Sequence, residues 1–225
     1  MSEIKTRPRF LRILPYFLFA ALVGFLVFYH AGRLAVFYAD HFTECSVTYE
    51  EWRGTVFNGA EIRGMRLELP GKVFAARGEK CFFKIDTHRL LTRRQIVLDC
   101  KMEGVSFSRE NNKESLSFYD DVLMIPFSSE LEYGDVSFVI TARSGVLEIS
   151  DLRADSKNVR MSGSYVHFRG SGEVRLELKI SFSPDMAADF DDAIKENVLS
   201  PDEDGWYSTV ISYRGNALLL KALYA

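Results

Sequence analysis

Four histidines and three cysteines are the residues of this chain best suited to chemistry: His30, His41, His88, His167, Cys45, Cys81 and Cys100. No His-Glu-x-x-His and no His-x-His pair occurs, so zinc ligation has no support. No Cys-x-x-Cys occurs either, which removes thioredoxin-like and zinc-knuckle chemistry. Ser162-Gly163-Ser164 and Gly170-Ser171-Gly172 resemble fragments of a Gly-x-Ser-x-Gly nucleophile elbow, but both fall where strands bend or turn. Gly59 and Gly64 have P-loop spacing, yet Met65 stands where the phosphate-binding lysine is required. Asp189, Asp191, Asp192, Asp202, Glu203 and Asp204 form the densest acidic cluster. It lacks the alternating ligand series and terminal glutamate of a calcium loop, and reads as a solvated helix face and turn. The expectation is a protein that is not an enzyme, with no metal and no cofactor.

Cys81 and Cys100 lie symmetrically about the middle of a polar link, Thr87–Arg94. If Lys80–Asp86 and Gln95–Met102 pair as a simple hairpin, the two cysteines face each other. A disulfide and two separate buried thiols both fit that arrangement.

The compartment is set by the N-terminal region. Lys5, Arg7, Arg9 and Arg12 precede an apolar stretch that is almost continuous from Ile13 to Tyr29 and fades by Phe37. A span needs about 20 apolar residues, and this stretch supplies them. A cleaved signal would need small residues at the −3 and −1 positions. The candidates Ala31, Gly32, Ala35 and Ala39 have Tyr29, His30, Arg33 and Phe37 two positions earlier. The reading is a cytoplasmic leader over 1–12, a single uncleaved transmembrane anchor over 13–37, and an exported domain over 38–225. Five of the 28 Lys and Arg and one of the 31 Asp and Glu precede residue 38, which leaves the exported part near −7. That balance argues against nucleic acid and against tight adsorption to anionic lipid. Arg63, Arg66, Arg89, Arg93 and Arg94 would hold lipid headgroups if they gathered near the membrane. Ordinary wet strand faces and turns account for them as well, and that reading is preferred.

The exported part reads as strands. Val174, Leu176, Leu178, Ile180 and Phe182 alternate with Glu173, Arg175, Glu177, Lys179 and Ser181, so Glu173–Phe182 is a strand with one buried and one wet face. Less regular candidates are Ala60–Leu69, Lys72–Ala76, Gln95–Met102, Val105–Arg109, Val136–Ala142, Val146–Leu152, Asn158–Phe168 and Trp206–Tyr213. Short links such as Ser144-Gly145, Asp155–Lys157 and Gly170–Gly172 favour an antiparallel meander over βαβ units. One late amphipathic helix is expected over Pro184–Leu199, capped by Ser183, with Met186, Phe190 and Ile194 on its apolar stripe. A last strand pair would turn through Arg214-Gly215-Asn216, with Ala217–Leu223 as its second arm.

The order of these elements resembles a known family. Trp52-Arg53-Gly54-Thr55-Val56-Phe57-Asn58-Gly59-Ala60-Glu61-Ile62-Arg63-Gly64-Met65-Arg66-Leu67 looks like the opening of AsmA-like and TamB-like envelope proteins. Phe82–Phe107 continues the likeness with Leu90-Leu91, Ile96-Val97-Leu98 and Gly104-Val105-Ser106-Phe107. Leu147–Phe182 resembles the C-terminal region of AsmA, an ending shared with the type II secretion protein N family. The chain is shorter than long members of the family, which carry many more strands. The resemblance implies a mainly β fold, a curled antiparallel trough behind a transmembrane helix. It implies a place in the inner membrane, with the domain in the periplasm. The implied role is phospholipid transport or outer-membrane assembly, with Val174, Leu176, Leu178, Ile180 and Phe182 as lipid-facing candidates. The alternative is a scaffold or secretion-system subunit that binds another envelope protein.

Overall fold

The computed structural model describes residues 22, 23, 26, 29–34, 36, 46–68, 74–109, 125–127, 131–202 and 204–216. The described residues between 22 and 36 are all helical. Most of the expected anchor over 13–37, and the second arm Ala217–Leu223, lie outside the described residues. Among the described residues no helix is long and apolar enough to cross a membrane.

The rest is one antiparallel sheet of eleven strands. In chain order they are β1 (Ser46–Thr48), β2 (Glu51–Thr55), β3 (Gly59–Glu68), β4 (Phe74–Ile85), β5 (Ile96–Arg109), β6 (Glu132–Arg143), β7 (Val146–Asp155), β8 (Val159–Phe168), β9 (Glu173–Phe182), β10 (Ser200–Pro201) and β11 (Tyr207–Asn216). From β3 to β9 each strand pairs with the next in sequence. β1 and β2 both pair with β3 at one edge, and β11 lies between β9 and β10 at the other. The two edges do not meet, so the sheet is open, as a trough requires. Among the described residues after 45, three short α-helices accompany it, α1 (Thr87–Arg93), α2 (Pro184–Ala188) and α3 (Asp192–Asn197), with one 3-10 turn at Ile125–Phe127.

The apolar face follows from the register. Ile62, Cys81, Met102, Val136, Ala154, Met161 and Ile180 stand side by side on β3 through β9. All but Met102 are buried. At the end of the sheet holding Phe182, α2 and α3 lie over this face. Ile194, Leu199, Met186 and Phe190 pack there against Val159, Met161, Ile180 and Phe182, and Phe190 meets Phe182 edge-on at 5.1 Å between ring centres.

Several expectations change here. The late helix is two helices, because the chain leaves α2 at Asp189 and restarts at Asp191, the extended residue before α3. The Ser183 cap stands, its hydroxyl accepting from the Met186 N–H at 3.3 Å. Thr87–Arg94 is not a plain link: Asp86 accepts from the Arg89 N–H at 3.0 Å and starts α1. Arg214, Gly215 and Asn216 do not turn; they continue β11 opposite Arg175, Val174 and Glu173.

Two interrupted patterns prove to be single strands. Gly104 separates Gln95–Met102 from Val105–Arg109 in the sequence, yet β5 runs through it. The ladder skips one pair between β3 and β4, one between β4 and β5, and one between β5 and β6. The skipped positions line up across the sheet as Gly64, Glu79, Gly104 and Gly134. Gly64 and Gly104 each hold φ +59, a left-handed conformation that lets a strand kink. The kink puts Met102 and Val105, three residues apart, into one core.

Gly104→Ala should therefore lower stability by roughly 1–2 kcal/mol, the cost of left-handed backbone for a residue with a Cβ. That Cβ would also stand 2.6 Å from Glu79 Cγ. Gly104→Asn should cost less, since Asn visits this region more readily. Urea midpoints of the full chain in mild detergent check the order. Equal midpoints for wild type and Gly104→Ala would rule out the kink as a conformational requirement.

Candidate functional site

The most irregular part of the sheet surrounds an apolar pocket. β6 and β7 shift register between Ser137 and Val139, and β7 and β8 shift between Ile149 and Leu152. Asp151, at φ +54, is the residue of β7 that turns outward. The extra residue lets Ile149 and Leu152 face the same way although they are three apart, as bulges commonly re-aim side chains. On β8 the neighbouring position is Gly163, opposite Leu152 on one side and Leu178 on the other.

A pocket of about 160 Å³ results, walled by Phe138, Ile149, Leu152, Tyr165, Leu176 and Leu178, with Ser164 and Glu177 at its margin. The six apolar and aromatic wall residues are half-buried. Phe138 and Leu178 also pack against the core under α2 and α3. The pocket thus continues the apolar face beyond the point where the helices stop covering it.

The five lipid-facing candidates divide by burial. Ile180 and Phe182 have 0% exposure and belong to the core under α2 and α3. Val174, beyond Leu176 at the other end of β9, also has 0% exposure but lies outside that core. Leu176 and Leu178 line the pocket. Alternation alone does not separate the buried residues from the pocket residues.

Cys81 and Cys100 are free thiols on the apolar face. The register differs from a simple hairpin by two residues: Cys81 faces Met102, and Cys100 faces Phe83. The cause is the folding of the link into α1, which leaves unequal arms. Burial raises the Cys81 thiol to about 11. Burial, with Asp99 and Cys81 nearby, raises Cys100 to about 12. An unfolded thiol ionises near 8.5, so both folded values lie above the unfolded one. Their contribution to stability is complete below the unfolded value and is lost as pH rises toward 11 and 12. The expected result is a urea midpoint that falls between pH 8 and 10. The slope should be smaller in the Cys81→Ala, Cys100→Ala double variant. An unchanged slope would show that the thiols are not responsible.

The acidic turn is tied to β9 and β11. Asp202 accepts from Lys179 Nζ at 3.1 Å and from Ser208 Oγ at 3.2 Å. The Lys179 hydrogen bond holds its carboxyl below the usual range, with Ser208 adding to the effect. The Gly205 N–H closes the turn onto the Asp202 carbonyl at 3.0 Å, so Asp202–Gly205 is a tied turn. Among the described residues no group of histidine, cysteine, aspartate and glutamate could hold a metal ion. His88 is exposed on α1, and His167 stands between Leu147 and Val174 in the sheet. His41 and Cys45 lie outside the described residues.

The arginines separate as well. Arg63 pairs with Glu61 at 3.1 Å, and Arg66 pairs with Glu68 at 2.8 Å. Arg89 pairs with Asp86 at 3.3 Å. Arg93 and Arg94 are exposed and make no ion pair among the described residues. With the fold and pocket described, comparison with known proteins adds no relative: no protein-family model, no curated protein and no solved structure matches this chain.

Proposed function

We propose that this chain is an inner-membrane-anchored, periplasmic β-sheet protein, AsmA-like in kind, whose uncovered apolar face accepts an acyl chain of a phospholipid. The observation that carries the reading is the apolar pocket at Leu176 and Leu178, beside a face that α2 and α3 close only in part. Its roughly 160 Å³ is below the ~300–1,000 Å³ of whole-ligand sites, which suits a stretch of hydrocarbon better than a complete small molecule. The reading involves no catalysis and no cofactor. The lipid would be held by burial alone, at about 25 cal/mol per Å² of apolar area.

Lipid extraction and mass spectrometry of the purified full chain tests it. The expected result is co-purifying phospholipid that is lost in Leu176→Asp, Leu178→Asp. A wild-type chain free of lipid, or a variant that keeps it, would end the proposal.

A scaffold reading has one observation in its favour. β10 covers only Tyr207 and Ser208 of β11. Among the described residues nothing pairs with the outer side of Thr209–Arg214, where Val210 is 56% exposed. Such an edge admits a partner strand. A photocrosslinking amino acid at Val210 in intact cells distinguishes the readings, through protein adducts or their absence.

A further inference from the structure

The meander brings four arginines from three separate connections to one end of the sheet. α1 supplies Arg93 and its C-cap residue Arg94. Ile96 pairs with Ala142, so the next position outward sets Gln95 beside Arg143 and brings Arg94 to the β6–β7 turn. The Arg169 N–H donates to the Gly145 carbonyl at 2.8 Å, which joins that turn to the one between β8 and β9. Arg93, Arg94, Arg143 and Arg169 are all exposed. Among the described residues none of them makes an ion pair.

An apolar side chain stands among these charges. Leu91 on α1 is 81% exposed, the highest value for a large apolar residue among those described, and Ile96 beside it is 47% exposed. A leucine held in water between arginines costs free energy without a folding role, since α1 buries none of its residues. Leucine and arginine in this arrangement suit a bilayer interface, where one enters the acyl boundary and the others meet phosphates.

The chain's own course points to the same end. Val56 begins the β2–β3 turn there, and its carbonyl accepts from the Ile85 N–H at 2.6 Å, just before α1. Gly32, in the fading C-terminal part of the apolar stretch, sits so close to this hairpin that a Cβ would lie 2.6 Å from the Trp52 ring and 2.8 Å from Val56. Arg33 donates to the Trp52 carbonyl at 3.2 Å. At the opposite end Asp185, Asp189, Asp191, Asp192 and Glu196 surround α2 and α3. The near −7 balance of the domain thus averages a basic end and an acidic one.

We propose that the rim formed by Leu91, Arg93, Arg94, Arg143 and Arg169 docks on the anionic surface of a phospholipid bilayer, with Leu91 inserted at the interface. The proposal rests on the tether proposed above for the apolar stretch, and it orients the sheet with α2 and α3 pointing away from the bilayer.

The test uses the full chain carrying Leu91→Cys labelled with the environment-sensitive dye NBD. It is reconstituted with vesicles of phosphatidylcholine alone or with about one-third phosphatidylglycerol. Flotation with neutral vesicles reports the tether by itself. The label reports the rim: a several-fold rise in emission with anionic vesicles is expected. The rise should disappear in the Arg93→Glu, Arg94→Glu, Arg143→Glu variant, and in about 1 M salt, where screening shortens to ~3 Å. A label that stays aqueous with anionic vesicles overturns the proposal, even if the chain floats. So does a rise that is equal in neutral vesicles or insensitive to the charge reversals. Bound-lipid mass spectrometry on the same triple variant keeps the pocket separate, because those arginines lie outside its walls.

Discussion

Replacing Phe182 with alanine is expected to cost roughly 3–5 kcal/mol, the range for a buried phenylalanine. Phe182 has 0% exposure and faces Val159 and Tyr207 on the neighbouring strands. Its ring also anchors Phe190, which lies between α2 and α3. The substitution removes core volume and the ring contact with Phe190 together. Leu176→Ala on the same face should cost less, about 1–2 kcal/mol, because the side chain is only half-buried. Urea unfolding of the full chain in mild detergent, followed by Trp206 fluorescence, reads both. Trp206 is well placed, with the Arg160 guanidinium 3.9 Å above its ring. Equal losses at the two positions would contradict the division of the apolar face into a covered core and an uncovered pocket.

Gly163→Ala should be among the most damaging exchanges of a glycine for alanine in the sheet. A Cβ at 163 would strike the Glu177 carbonyl oxygen and come within 3.0 Å of Leu178 Cα. Both obstacles are backbone, so no side chain can swing aside. β8 and β9 would have to part where they are paired through ten registered positions. A loss of at least about 1–3 kcal/mol is expected, at or above the usual range for overpacking. The pocket should deform with it, since Leu152 and Leu178 flank Gly163 and form part of the wall. Unfolding midpoints give the stability, and bound-lipid content gives the pocket. A stable variant with unaltered lipid content would sink the proposed importance of this close approach. Gly104→Ala provides the contrast, because there the nearest obstacle is the movable Glu79 side chain.

The meander was legible in the sequence wherever alternation was unbroken. Glu173–Phe182 reads as a strand and is β9 residue for residue. The links at Ser144-Gly145 and Gly170–Gly172 are turns because glycine there carries positive φ, at Gly145 and Gly172. Legibility failed where tertiary pairing overrode a local signal. Gly104 and Gly215 look like breaks, but Gly215 pairs with Val174, and the paired residues on either side of Gly104 carry β5 through it. Met186, Phe190 and Ile194 have helical spacing, yet a single helix does not carry them, since Asp191 leaves helical geometry between α2 and α3. The pocket was not legible at all beyond Leu176 and Leu178. It depends on the outward turn of Asp151, which no periodicity announces. Arg143 and Arg169 escaped notice for a similar reason. They are far from Arg93 in sequence, and only the pairing of β5 through β8 brings their turns to one end.

The strand order also bears on how such a chain comes to be built. From β3 to β9 each strand finds its partner in the segment synthesised just before it. A polypeptide emerging N-terminus first can therefore grow this part of the sheet one hairpin at a time, with no strand waiting for a distant mate. After β9 the pattern changes: α2 and α3 fold back over β8 and β9, and β11 slots between β9 and β10. Until those final residues emerge, the growing ribbon carries a bare greasy side. The segment from Pro184 to Leu199 then serves as its lid-maker, and a chain stopped before Pro184 would be prone to clump.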